Sequence, residues 1–191
     1  MAKSIKRNKD AILLRSFRKI HRWTGILLFV FFFIMAITSI LLGWKKHSFG
    51  WVQAKTHTGT STDLSQWLPV DSLHKLAIGY LHDSVDASLS TSLDRIDARA
   101  DKGIVKFVFK DHFWGLQLDG ATGKLLFKER RRADFIEKIH DGSILDFYAN
   151  TPDDYFKLAY TSIMSIALLL FTVTGFWLWY GPKRFRKKRR S

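Results

Sequence analysis

Two stretches of this chain carry no charged side chain: WTGILLFVFFFIMAITSILLGW, from Trp23 to Trp44, and LAYTSIMSIALLLFTVTGFWLWY, from Leu158 to Tyr180. At 22 and 23 residues, each is long enough as a helix to cross a hydrocarbon core about 30 Å thick. The sequence therefore predicts two transmembrane helices, and the rest of the chain has to be arranged around a bilayer. The aromatic residues agree with this placement. Trp23 and Trp44 bracket the first run, while Trp177, Trp179 and Tyr180 crowd the end of the second, as interfacial belts do.

Charge then fixes the expected orientation. The chain has 31 Lys+Arg against 17 Asp+Glu, for a formal charge of +14. Residues 1–22 hold eight of the basic residues and one acid, and residues 181–191 hold seven with none, so between the tails the charges balance. A nucleic-acid binder would spread its excess over one face; here the excess flanks the spans, which points to anionic headgroups rather than nucleic acid as the partner of the tails. By the positive-inside rule both termini are expected in the cytoplasm and residues 45–157 outside. The first run is too long for the h-region of a signal peptide and no A-x-A-like site follows, so it is expected to be an uncleaved anchor. Ile12, Leu13, Phe17, Ile20 and Thr24 recur at helical spacing among Arg15, Arg18, Lys19 and Arg22, the pattern of a short basic amphipathic helix lying on a leaflet. At the other span, Thr151 suits an N-cap, with Pro152 at the first helical position and Asp153 and Asp154 facing the positive helix end; Gly181-Pro182 is the expected stop.

Residues 45–132 read as a small α+β domain. Leu73, Leu76, Ala77, Tyr80 and Leu81 give a helix over Asp71–His82. The period then changes to two. Ile96, Ala98 and Ala100 alternate with charged residues, and a turn at Asp101-Lys102-Gly103 leads to Val105, Phe107 and Phe109. Trp114, Leu116 and Leu118 form a third run, and Leu125–Lys128 a fourth after DGATG. The expected fold is thus a two-helix membrane protein carrying a helix packed on one face of a four-stranded antiparallel meander. Thr56–Ser65 reads as a linker. Residues 133–157 read as a juxtamembrane helix leading into the span at 158–180, and 181–191 as a tail.

Several chemistries are missing. No cysteine is present, which removes disulfides, thiol nucleophiles and thiolate-held clusters. There is no G-x-S-x-G, H-E-x-x-H, phosphate-cradling loop, or flavin or nicotinamide fingerprint. DGATG reads as a turn, because a strand and not a helix follows it. No carboxylate lies within either run to relay protons.

RKIHRWTGILLFVFFFIMAITSILL resembles the opening of the PepSY-associated transmembrane family, with its His-Arg-Trp-type triplet and glycine. FWGLQLDGATGKLLF resembles the PepSY signature, an aromatic strand ending in Asp before a Thr-Gly turn. IEKIHDGSIL is similar to the family's later helix, and GFWLWYGPKRFRKKRR to its usual membrane exit. The resemblance covers nearly the whole chain in order. It implies a bacterial inner-membrane protein with a periplasmic PepSY domain. Four-span relatives include haem-containing reductases associated with siderophore iron uptake, and PepSY domains elsewhere are associated with secreted peptidases. This chain has two spans, short of the complete reductase arrangement.

Against that background the histidines are the candidate site. His21 stands two residues before the first run, with Gly25 one turn along as clearance for a flat macrocycle, and neutral imidazole is a standard axial ligand of haem iron. The plainer reading is an interfacial histidine among basic neighbours. His140 lies outside, on an expected helix with Ile136 and Ile144. His21 and His140 belong to opposite ends of the membrane and cannot share one iron within a chain. The second run holds no histidine, so a bis-histidine haem b at the cytoplasmic end needs His21 from a second copy, making a homodimer the simplest expectation. At the other end His47 is the expected partner of His140. Two such haems would give an electron route across the membrane. The non-enzymatic alternative is an anchored module that binds a periplasmic peptide, peptidase or siderophore-uptake partner at its sheet edge. A third is an accessory subunit of a larger membrane complex, with Gly25, Gly43 and Gly175 as helix contacts. His57, His74, His82 and His112 read as surface histidines, and Met35 and Met164 as packing.

Overall fold

The structure, a computed structural model, describes residues 2–190, with side chains from Ala11 to Arg186. The chain falls into two compact units, one formed by the residues up to 38 together with those from 140 onward, the other by residues 39–139.

The first unit is a pair of long helices. α1 runs Ala2–Gly43 and α5 runs Tyr155–Arg190. Both contain segments apolar and long enough to span a membrane, Ala11–Gly43 and, with the turn before α5, Pro152–Arg186. The helices are antiparallel and meet along a narrow seam: Phe17 lies against Trp177, Phe32 against Phe171, and Phe31 against Tyr160. On α5 the inward positions Met164, Ala167, Phe171, Thr174, Leu178 and Gly181 recur at steps of three and four, the spacing of a helix–helix stripe. Small residues let the backbones close; a Cβ on Gly181 would come within 3.3 Å of Leu14 Cδ2. Off the seam, Ile26, Leu27, Phe29, Leu169 and Phe176 stand exposed, as a hydrocarbon solvent allows.

Two helix boundaries differ from expectation. The basic stretch before Trp23 is not a separate helix lying on a leaflet but the uninterrupted start of α1. Nothing in residues 11–22 breaks an α-helix, since the segment contains neither Gly nor Pro. Gly181-Pro182 likewise does not end α5, which passes through Pro182 to Arg190. Proline removes a single backbone donor, and the following turn gains Lys183 Nζ over the Trp179 ring at 3.8 Å.

The expected helix around His140 is also divided. α3 (Arg132–Asp141) and α4 (Ser143–Ala149) meet at Gly142, whose φ of 80° is left-handed. A Cβ there would lie 2.7 Å from Tyr160 Cγ, so glycine serves both the turn and the close approach of α5. Ile144 therefore shares no helix with His140. The start of α5 is not capped by the Thr151 side chain. Thr151 instead donates its hydroxyl to Asp146, whose buried carboxylate accepts from Phe156 N at 3.0 Å and Lys157 N at 2.8 Å. A carboxylate supplied from α4 thus satisfies the first donors of α5 and opposes its positive end.

In the second unit, α2 (Val70–Ser84) covers one face of a four-stranded antiparallel sheet in the order β1 (Leu93–Arg99), β2 (Ile104–Phe109), β3 (Trp114–Asp119), β4 (Leu125–Arg130). Leu73, Ala77 and Leu81 pack on Val105, Phe107, Phe109, Leu116 and Leu118, all but sealed from solvent. β2 pairs β3 with Val105 opposite Leu118 and Phe107 opposite Leu116, which puts the alternate residues Gln117 and Asp119 on the other face.

That second face holds a correction. Residues 55–61 are not a flexible linker but a strap laid across it. The Gln117 amide, fully buried, accepts from His57 N at 3.0 Å and donates to Lys55 O at 3.0 Å, as a peptide group in a ladder would. His57 stacks on Phe127, and Gly59 N donates to Lys102 O. Asp119, 2% exposed, accepts from Thr60 N and Oγ1 and from Ala121 N and Thr122 N, tying the strap to the DGATG turn. A smaller cluster of Val52, Ala133 and Ile136 packs with Leu41 and Leu42 at the end of α1. Arg131, at the entry to α3, pairs with Asp134, and burial, then the nearby Arg95, push its pKa down to about 10.

Two substitutions test these ties. Burial alone would raise the Asp119 pKa, but its four hydrogen bonds outweigh it and hold the carboxyl below its usual 3.8. The stabilisation is complete above that value and is lost as pH falls through the lower, folded one. Asp119→Ala should cost about 2–4 kcal/mol, by stranding buried donors, and should remove this acid-dependent component from thermal unfolding of the domain between neutral pH and pH ~3. Asp146→Ala should accelerate amide exchange at Phe156 and Lys157, roughly fivefold for the loss of about 1 kcal/mol of capping.

Candidate functional site

The same local arrangement occurs twice in the helix pair. Near the basic end, His21 on α1 places Nδ1 at 2.9 Å from Thr174 Oγ1 on α5. Near the opposite end, His140 at the close of α3 places Nδ1 at 2.8 Å from Thr38 Oγ1 on α1. Both threonines are buried, at 3% and 6% exposure, inside otherwise apolar helices. Both hydroxyls also lie on the carbonyl one turn back, Thr174 on Leu170 O at 2.6 Å and Thr38 on Ile34 O at 2.8 Å. Among the described residues, Nε2 of neither histidine makes a hydrogen bond.

Packing holds each ring differently. His21 stacks on Phe171 with centroids 3.9 Å apart, so one ring face is covered. Gly175 lies beside its edge, where a Cβ would stand 3.3 Å from Cε1. Gly25 follows on the same helix, and a Cβ there would stand 3.1 Å from Phe171 Cε2, so the room beside this glycine is shared with the Phe171 ring. The open side of His21 faces a hollow of about 440 Å³ lined by Arg15, Arg18, Lys19, Arg22 and Leu178.

His140 is fixed through its neighbours. Asp141 accepts from Ser143 N and Oγ and pairs with Lys157 Nζ at 3.0 Å. Burial would raise the Asp141 pKa, but Ser143 and Lys157 together hold it below the usual carboxylate value. With Gly142 against Tyr160, this clamps the corner that follows His140 onto α5.

His47 belongs to the other compact unit. It is exposed, with its ring edge-on to Trp44 at 6.5 Å, and it lines an open hollow of about 870 Å³ with Trp44, Lys46, Phe49 and Lys55. The remaining histidines serve the domain: His74 stacks on Phe107, His82 lies near Leu89 O, and His112 bridges Ser90 O and Trp114 N. Among the described residues no group of three or more His, Asp or Glu side chains is placed to hold a bare metal ion.

Sequence reasoning picked out His21 and His140 and missed their partners. Thr38 and Thr174 are two of several hydroxyl residues in the runs, with Thr24, Ser39, Thr161, Ser162, Ser165 and Thr172 among the others. Nothing in spacing alone separates a threonine that faces a histidine from one that satisfies only its own helix.

No match was found among curated proteins or among solved structures. The family model of the PepSY-associated TM region matches residues 18–191, a stretch that takes in both apolar runs, the sheet and both His–Thr pairs. The chain is a membrane protein and belongs to the family of the PepSY-associated TM region.

Proposed function

We propose that this protein sits in a bacterial inner membrane with both termini in the cytoplasm and its sheet domain in the periplasm, and that it acts in redox or iron-uptake chemistry by holding haem b between two copies of itself. The observation that carries the reading is the repeated His–Thr pair: a half-buried imidazole, oriented by a buried threonine, at each end of the helix pair, whose Nε2 makes no hydrogen bond among the described residues. The donor set fits the group. Imidazole nitrogen is an axial ligand for haem iron, and Arg15, Arg18, Lys19 and Arg22 around the hollow at His21 suit its two carboxylates. His21 and His140 would each hold a separate haem iron, and bound haem would supply one-electron transfer.

The pairing of chains follows from counting ligands. The basic end of one chain offers one imidazole, so the second axial position falls to His21 of a second copy. Only a narrow stripe of each helix is covered by its neighbour; just 6% of the most apolar window of α1 is buried, which leaves ample surface for another helix pair. The basic tails on one side of the spans support the orientation.

Absorption spectra of the detergent-purified full chain, oxidised and dithionite-reduced, test this reading. A Soret band with sharp reduced α-bands is expected, with one haem per two chains at the shared His21 site and further haem at His140. His140→Ala should leave about one haem per two chains, and His21→Ala should remove the site at the basic end. A featureless spectrum from folded protein would overturn the haem reading, leaving an anchored interaction module with β1 and β4 as the sheet edges.

A further inference from the structure

We propose that Thr174 and Thr38 are positioning residues that lock His21 and His140 into the Nδ1–H tautomer, so that each ring presents an unprotonated Nε2 to a metal centre. The metal's identity as haem iron rests on the function proposed above; the tautomer does not.

The argument counts protons. A threonine hydroxyl has one proton to donate and lone pairs with which to accept. Each hydroxyl is buried and lies within donating distance of the carbonyl one turn back, at 2.6 Å for Thr174 Oγ1 and 2.8 Å for Thr38 Oγ1, the usual outlet for a helical threonine's proton. With the proton spent there, the oxygen can only accept from the imidazole. Nδ1, at 2.9 Å and 2.8 Å, must then carry the hydrogen in both rings. A neutral imidazole has one N–H, so Nε2 keeps its lone pair. This is the arrangement in which the partner of the non-ligating nitrogen orients a metal-binding histidine and raises its basicity. Residues 21 and 140 come from different elements, and their threonines from opposite helices. The repetition at both ends therefore does not follow from one local sequence pattern.

Phe171 and Gly175 complete the restraint at His21. Stacking on Phe171 fixes the ring plane, and the missing Cβ at Gly175 lets the ring lie against α5 close enough to reach Thr174.

The test uses the full chain, 15N-labelled at histidine, in lipid nanodiscs without haem and at about pH 8.5, where imidazoles are neutral. The nitrogen shifts report each ring's tautomer, and His21→Gln and His140→Gln assign the signals. In the wild type, Nδ1–H should exceed Nε2–H on the order of tenfold for both residues, the factor one hydrogen bond supplies. Thr174→Val should bring His21 towards parity while leaving His140 unchanged, and Thr174→Ser should keep the wild-type ratio. Thr38→Val and Thr38→Ser should act likewise on His140 alone. A wild-type ring in the Nε2–H form, or a ratio that ignores Thr→Val, overturns the proposal; the wild-type spectrum decides even where a variant does not fold. On haem-loaded protein, Thr174→Val should shift the reduction potential upward with the Soret band retained, because a less basic imidazole stabilises ferric iron less. Correct tautomers without any Soret band would overturn the haem reading alone.

Discussion

Two buried threonine hydroxyls, each facing a histidine, organise this part of the chain: one joins α1 to α5 and the other joins α3 to α1. Apolar packing does little to choose one helix partner over another in a bilayer, because the lipid tails are as apolar as the residues they would replace. Polar contacts across the seam supply the missing choice. His21–Thr174 pins α1 to α5 near one end, while His140–Thr38 ties α3, the helix that leads through α4 into α5, to α1 near the other. The small residues Gly25, Ala167, Gly175 and Gly181 lie where the seam needs close approach. A Cβ at Gly25 or Gly175 would press on the Phe171–His21 stack, so packing and hydrogen bonding constrain the same few atoms.

The sheet domain shows the same economy with a different solvent. A small sheet needs one face covered, and α2 does this with three fully buried side chains. Its other face would ordinarily be left wet, yet β2 is buried almost throughout. The strap closes it, held by Gln117 and Asp119, two polar residues buried to nearly the same degree as the apolar core. Each is affordable because every strong acceptor on Asp119, and both ends of the Gln117 amide, meet backbone or hydroxyl donors and acceptors. The aspartate that ends the aromatic strand and the glycine turn after it thus form one device for anchoring a distant segment.

Length and periodicity made the spans, α2 and the meander legible, because both signals are properties of consecutive residues. Val105, Phe107, Phe109, Leu116 and Leu118 were assigned to one face by alternation alone, and they form the core. What escaped was set by partners far along the chain. The strap looked like a linker because Thr, Ser and Gly advertise flexibility, while its anchors lie about sixty residues away. Thr151 looked like a cap because the competing carboxylate, Asp146, reaches α5 from α4. Pro182 looked like a stop although the helix around it loses only one bond. At the site, composition singled out His21 and His140, but only three dimensions could show that each has a threonine opposite.

The placement of the two pairs bears on why the protein would keep polar groups in its spans at all. A histidine whose two nitrogens both found partners would serve helix association fully, and a serine or asparagine would do so as well. Here His21 uses one nitrogen to hold α5 to α1 and His140 uses one to hold α3 to α1, while among the described residues neither Nε2 makes a hydrogen bond, which adds nothing to packing. A free lone pair at the membrane boundary is an unsatisfied polar group, tolerable only where water or a ligand reaches it. At His21 the hollow that reaches it is bordered by four cationic side chains, and mutual repulsion among those charges is relieved most by a dianionic occupant. On the proposed reading, the contacts that hold these elements together are also the ones that would prepare a ligand site, and the same threonines serve both purposes.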